Sequence, residues 1–143
     1  MRMIVVFILF VAATVNAATV LPGPYEIESI RKWRDADTFE ADVIVWPSSL
    51  PNDPHVMREA VRVRGLNATE VGCPDAESTL AHGKRWVDVH WPVYLTNVRR
   101  DGFGRILADV VDDEGKSYVD YMMSSGTAVE WYHSGASKTC VGE

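Results

Sequence analysis

Arg62, Asn67 and Glu70 lie close together in the stretch Val61-Arg62-Val63-Arg64-Gly65-Leu66-Asn67-Ala68-Thr69-Glu70. A guanidinium, an amide oxygen able to ligate a metal, and a carboxylate suit chemistry on a phosphate. The first binds anionic oxygens, the second a hard cation, and the third can move a proton. Asp35-Ala36-Asp37-Thr38 offers a second set of hard oxygens, the kind that Ca²⁺ or Mg²⁺ takes. Each stretch also has an ordinary reading, a surface strand with solvated charges and a polar turn.

Both sets need rigid elements behind them. Val61 and Val63 alternate with Arg62 and Arg64, as in a half-buried strand, and Gly65 breaks it so that Asn67 and Glu70 lie at its exit. Upstream, Tyr25 to Ile30 alternates in the same way, and Phe39 to Trp46 reads as its partner. Asp35 to Thr38 is then the turn of a hairpin, because aspartates bond their own backbone two residues on. Pro47 to Pro54 reads as a long exposed loop.

Asp75 to about His90 predicts the one clear helix, capped by Asp75. Its apolar stripe runs through Ala76, Leu80, Gly83, Val87 and His90 or Trp91. Gly83 weakens the helix and marks a close approach to a strand. Pro92 to Val98 and Arg105 to Val111 are strands, Val119 to Ser125 is a short helix closed by Gly126, and Ala128 to Tyr132 is a last extended piece. About five strands with a helix after the third predict an α+β, mainly β, fold. The expected architecture is a five-stranded OB-fold barrel with one inserted helix and a short C-terminal helix. That fold does not by itself give a function.

The chain has 143 residues, 47% hydrophobic and 24% charged, which suits one domain with a real core. Residues 1–17 read as a secretory signal peptide, with Arg2 at its start, an apolar run from Ile4 to Val15 and cleavage after Ala17. The remaining domain, 18–143, carries 13 basic and 20 acidic residues, a net charge of −7. A polyanion site must therefore be a local basic patch. Arg31, Lys32 and Arg34, then Arg58, Arg62 and Arg64, then Arg99, Arg100 and Arg105 are the clusters available, and most of these read as solvated faces. Cys73 and Cys140 are expected to form a disulfide, since the leader sends them to an oxidising compartment. There is no CxxC spacing, and His55, His82, His90 and His133 show no close pairing, so a zinc site is not expected.

Four pieces, in order and spacing, resemble the motifs of the staphylococcal nuclease (thermonuclease-like) family. They are Asp35-Ala36-Asp37-Thr38, Arg62-x-x-Gly65-Leu66-Asn67-Ala68-Thr69-Glu70, Asp101-Gly102-Phe103-Gly104-Arg105-Ile106-Leu107-Ala108, and Met123-Ser124-Ser125-Gly126-Thr127-Ala128-Val129-Glu130-Trp131. The resemblance covers about Tyr25 to Tyr132, leaving a polar tail at 133–143. It implies Ca²⁺-dependent hydrolysis of phosphodiesters in DNA and RNA, single- or double-stranded, leaving 3′-phosphates. It makes Asp37, Asn67 and the main-chain carbonyl of Ala68 the metal ligands, with Asp35 and Thr38 supporting Asp37. Glu70 orients or deprotonates the attacking water, and Arg62 and Arg105 bind the scissile phosphate. Phe103 and Tyr132 contact the nucleic acid. The implied protein is a monomer, secreted or periplasmic, and not in a membrane once mature.

This chain departs from the family at several of these positions. Asn67 stands for an aspartate and removes one negative charge from the metal site. Thr69 stands for proline and is expected to leave the Glu70 loop less rigid. Ala36 stands for glycine, Phe103 for tyrosine, and a longer C-terminal helical tail is missing. The alternative reading is a catalytically weak or silent OB-fold module that binds nucleic acid or protein. Retention of Arg62, Glu70 and Arg105 together argues against it, since a pure binder needs no carboxylate facing a phosphate.

Overall fold

Acidic and apolar residues alternate from Tyr25 onward, with Tyr25 and Ile27 buried and Glu26 and Glu28 exposed, and this starts strand β1 (Tyr25–Asp35). The computed structural model describes residues 23–45, 55–70, 72–130 and 140. The leader at 1–17, Trp46 with the Pro47–Pro54 loop, Tyr132, and the polar tail apart from Cys140 lie outside the described residues. β1 continues past Ile30 to Asp35. Its register against β2 (Thr38–Val45) shifts at three places along that length. Each shift breaks the two-residue alternation, which is why the pattern fades at Ile30 although the strand does not. Such bulges also bend a strand, as a barrel wall requires.

β3 (His55–Val63) pairs antiparallel with β2 along its whole length, so the strand begins well before Val61. The chain turns at Gly65, whose φ of +76° favours a residue without a Cβ, into the short β4 (Leu66–Ala68). β5 (Val93–Arg100) and β6 (Ile106–Asp112) complete a closed barrel in the order β1-β2-β3-β6-β5. One junction is parallel: Val61, Arg62 and Val63 of β3 lie beside Ile106, Leu107 and Ala108 of β6. The fold is thus the expected α+β, OB-like barrel. The last extended piece, β7 (Ala128–Glu130), stays outside it and pairs with β4 as a separate two-stranded sheet.

Helix α1 (Ala76–His90) lies between β4 and β5, and α2 (Tyr118–Ser124) follows β6. Two details of α1 differ from the sequence reading. The Asp75 side chain makes no capping hydrogen bond, and its carboxylate instead accepts from the Thr69 hydroxyl at 3.1 Å. The buried face is Thr79, Gly83, Trp86 and Val87, while Ala76 and Leu80 are only half-buried and Trp91 is exposed. The face is turned so that Trp86 packs edge-on against Tyr118, with ring centroids 5.3 Å apart. Burying side chains of this size stabilises by roughly 2–3 kcal/mol each, more than a threonine hydroxyl costs to carry along. Gly83 does mark a close approach, but to α2 rather than a strand: a Cβ there would overlap the Tyr118 hydroxyl. That hydroxyl donates to the carbonyl of Ala36 at 2.6 Å, so the helix pair buttresses the turn that carries Asp35 and Asp37. Burial, then the nearby Asp37 and Asp35 charges, raises the Tyr118 phenol far above its usual range, so it acts as a donor. Ser117 caps α2 by accepting from the Asp120 N–H, and Gly126, with φ +71°, follows its end as expected.

Candidate active site

Four elements converge at one end of the barrel. The β1–β2 turn supplies Asp35, Asp37 and Thr38. β3 supplies Arg62 directly across from Thr38, because the two are cross-strand partners. The exit of β4 supplies Asn67, Ala68 and Glu70, and the start of β6 supplies Arg105.

Asp37 is the buried centre. Its Oδ1 accepts from the Thr38 hydroxyl at 2.8 Å and pairs with the Arg62 guanidinium, and its Oδ2 accepts from the Ala68 N–H at 2.7 Å. Its backbone carbonyl accepts from the Val63 N–H at 2.8 Å and from Arg62 at 3.3 Å. These bonds fix the turn, β3 and β4 to one another through a single residue. Asp35 accepts from the Asp37 N–H at 3.3 Å. Burial, helped by the neighbouring Asp37 carboxylate, pushes its carboxyl up to about 7.

Arg105 is aimed by Asp101. The Asp101 carboxylate accepts from Arg105 Nε at 2.8 Å and from the backbone N–H groups of Phe103 and Arg105 at 2.9 and 3.0 Å. Burial works against ionisation of Asp101, but these donors outweigh it and hold its carboxyl below the usual range. Phe103 stands 87% exposed at the tip of this turn, with the Arg105 guanidinium 5.2 Å from its ring centroid.

Asp35, Asp37, Thr38, Arg62, Asn67, Glu70 and Arg105 line one open cleft of about 290 Å³. Ala68 adjoins it through its N–H bond to Asp37. Phe103 opens on a neighbouring cleft that shares Arg62 and Arg105 with the first. Tyr132 lies outside the described residues. Cys73 and Cys140 are bonded, with Cα atoms 5.5 Å apart, and the Cys73 N–H donates to the Glu70 carbonyl at 3.2 Å. Thr69 is buried and tied to Asp75, so the position expected to loosen the Glu70 loop is itself anchored.

Several arginines of the sequence clusters are engaged elsewhere. Arg31 and Arg58 pair with Asp42, Arg64 pairs with Asp109, and Arg100 pairs with Glu59. Arg34 is different, because it lines the central cleft from the end of β1. The charge run at 31–34 reads in the sequence as a solvated face, and the signal that separates Arg34 from it is its place directly before the acidic turn.

The donors at the cleft are all hard oxygens, as Ca²⁺ prefers. Among the described residues no three His, Cys, Asp or Glu side chains cluster tightly enough to hold a metal by themselves. A cation here would rest on the Asp37 carboxylate, the Asn67 amide, the Ala68 carbonyl and water. That set fits a hard, weakly held cation. Neither a protein-family model nor any curated protein matches the chain.

Proposed function

We propose that the protein is an exported, divalent-cation-dependent phosphodiesterase acting on DNA or RNA. The observation that carries this reading is the cleft in which Arg62 and Arg105 face Asp37, Asn67 and Glu70. A phosphodiester resists water because its anionic oxygens repel the nucleophile and charge builds on the leaving oxygen. Two guanidinium groups at the non-bridging oxygens neutralise that charge in a site already shaped for it. Glu70 takes the proton of a water as its oxygen attacks phosphorus, the bond to the leaving oxygen breaks, and that oxygen is protonated from solvent. Asp37, Asn67 and the Ala68 carbonyl would hold a Ca²⁺ ion, which supplies further charge neutralisation when bound. The apolar leader-like segment at 1–17 and the disulfide support export. Among the described residues no helix is long and apolar enough to cross a membrane.

A second reading, a silent nucleic-acid-binding module, is favoured by one feature. Arg62 is paired with the very carboxylate that would hold the cation. Incubation of the mature protein with single-stranded DNA, with Ca²⁺ and then with EDTA, separates the two. Cleavage that needs the cation and falls by orders of magnitude in Glu70→Gln is expected. Cleavage at full rate in that variant removes the mechanism. Binding without cleavage under any cation leaves the second reading.

A further inference from the structure

Arg34 stands where three clefts meet. It lines the central one with Arg62 and Arg105, a second of about 310 Å³ with Lys32 and Arg105, and a third of about 350 Å³ beside Cys73. Lys32 lies across from Glu40 on β1, and Arg34 falls in the register irregularity between Trp33 and Asp35; both are exposed, and both line the second cleft. The other two guanidinium groups of the central cleft are already positioned by carboxylates, Arg62 by Asp37 and Arg105 by Asp101. Arg34 has no hydrogen bond or ion pair with any described residue. In a protein with an acidic balance, an arginine left unneutralised at the mouth of an anion site, with a lysine next to it, is the opposite of what the overall charge would arrange. Glu40, across from Lys32, is the one acid lining the second cleft.

We propose that Arg34, with Lys32 behind it, is a second anion subsite that holds the backbone phosphate next to the scissile one. A strand seated on Arg62 and Arg105 leaves the central cleft over Arg34, and the wall shared with the second cleft puts its next phosphate there. The substrate is then an oligonucleotide with at least one flanking linkage, not an isolated phosphodiester. Because Arg34 sits outside the group that faces the reacting phosphorus, it acts on binding rather than on the chemical step. The kinetic form of this inference rests on the nuclease reading; the binding form does not.

The binding arm uses the Glu70→Gln protein and a short fluorescein-labelled thymidine oligonucleotide, with anisotropy followed across a KCl series. Each phosphate neutralised on a single strand contributes about 0.7 to the slope of log affinity against log salt. Arg34→Ala is expected to lower that slope by about 0.7, the Lys32→Ala and Arg34→Ala pair by no more than that, since both act on one phosphate, and Arg34→Lys to restore it. The kinetic arm uses the protein with Glu70 intact. Arg34→Ala is expected to raise KM about tenfold with kcat unchanged. One of the two flanking linkages, replaced by a neutral methylphosphonate, should make the wild type behave like Arg34→Ala. If Arg34→Ala changes neither slope nor KM while the protein still cuts, the subsite is overturned and the nuclease reading survives. If nothing is cut but the slope falls and Arg34→Lys restores it, the subsite stands and the nuclease reading fails. If KM rises equally for a substrate with no flanking phosphate, Arg34 acts on the cleft itself and the subsite is overturned.

Discussion

On the proposed function, Asn67 sets how strongly the cleft would hold a cation. Asp37 beside it already gives one oxygen to Arg62 and Thr38 and the other to the Ala68 N–H. A neutral amide adds an oxygen but no charge, so a divalent cation must compete with the Arg62 guanidinium for Asp37. Asn67→Asp is expected to tighten Ca²⁺ binding by about tenfold or more, since a second carboxylate shifts that competition. Calorimetric titration reads it, and an equal or weaker affinity would remove position 67 from the ligand set. The residue types at this cleft are legible in the sequence because they lie on two short stretches, 35–38 and 62–70. Their pairings are not. That Arg62 closes on Asp37 depends on Thr38 lying across from Arg62 in the β2–β3 ladder, a register that neither strand's own pattern specifies.

At the scale of elements, the contact between α1 and α2 supports the acidic turn through one phenol. Gly83→Ala improves helix propensity by roughly 1 kcal/mol, but the added Cβ would overlap the Tyr118 hydroxyl. Overpacking of that kind costs about 1–3 kcal/mol or more, so the clash wins and net destabilisation is expected. Tyr118→Phe leaves the Ala36 carbonyl without its donor and costs about 1–2 kcal/mol. Together the two changes should cost much less than their sum. The phenylalanine removes the overlapping hydroxyl, and the nearest ring atom lies 3.3 Å from the new Cβ. Urea unfolding of the four proteins checks this, and additive losses would show that Gly83 is not packed on Tyr118. The existence and length of α1 are legible from its spacing of apolar residues. Its buried face is not, because Thr79 and Trp86 are turned inward by a partner helix far along the chain. Thr69 shows the same limit: its hydroxyl holds Asp75, a bond that takes the helix cap's own acceptor away.

At the scale of the whole molecule, charge pairs and one covalent cross-link are added to the buried apolar core. Asp101, Asp109 and Asp112 all sit below the usual carboxylate range. Burial opposes this in each case, but it is outweighed by Arg105 at Asp101, by Arg64 and Asn97 at Asp109, and by the Lys116 N–H and His90 at Asp112. A carboxyl depressed in the fold binds fewer protons there than in the unfolded chain, so its contribution is fully present above the ordinary value of about 3.9. It is lost as pH falls through the lower folded values. Urea midpoints should therefore drop below pH 4, and Asp109→Asn should make that drop shallower; Asp35, raised to about 7, works the other way and lowers the midpoint as pH rises from about 4 to 7. A drop unchanged in Asp109→Asn would take Asp109 out of the account. The Cys73–Cys140 bond closes a separation of 67 residues, for which chain entropy gives about 4 kcal/mol. Reduction, or Cys73→Ser with Cys140→Ser, should lower stability by an amount of that order in chemical denaturation. A loss near zero would mean that the tail contributes nothing to the folded state. This bond is legible from a count of two cysteines in a chain whose first residues read as an export leader. The order of the barrel strands is less so, since the alternation of each strand names its inner face but not its neighbour.

The parallel junction of β3 with β6 has a consequence for how the chain comes together. The β1-β2-β3 meander is local, and it can pair without the rest of the chain. Its outer edges then wait, β3 for β6 and β1 for β5, until α1 and the strands beyond it have come into place. During that interval the nascent sheet shows two unpaired edges with a half-formed hydrophobic interior between them, the arrangement most prone to wrong partners. Closure is a long-range event, so barrel formation is set by the late strands rather than by the early hairpin. The cleft inherits that order: Asp37 and Arg62 can meet early across β2 and β3, but Arg105 arrives only with the strand that shuts the barrel.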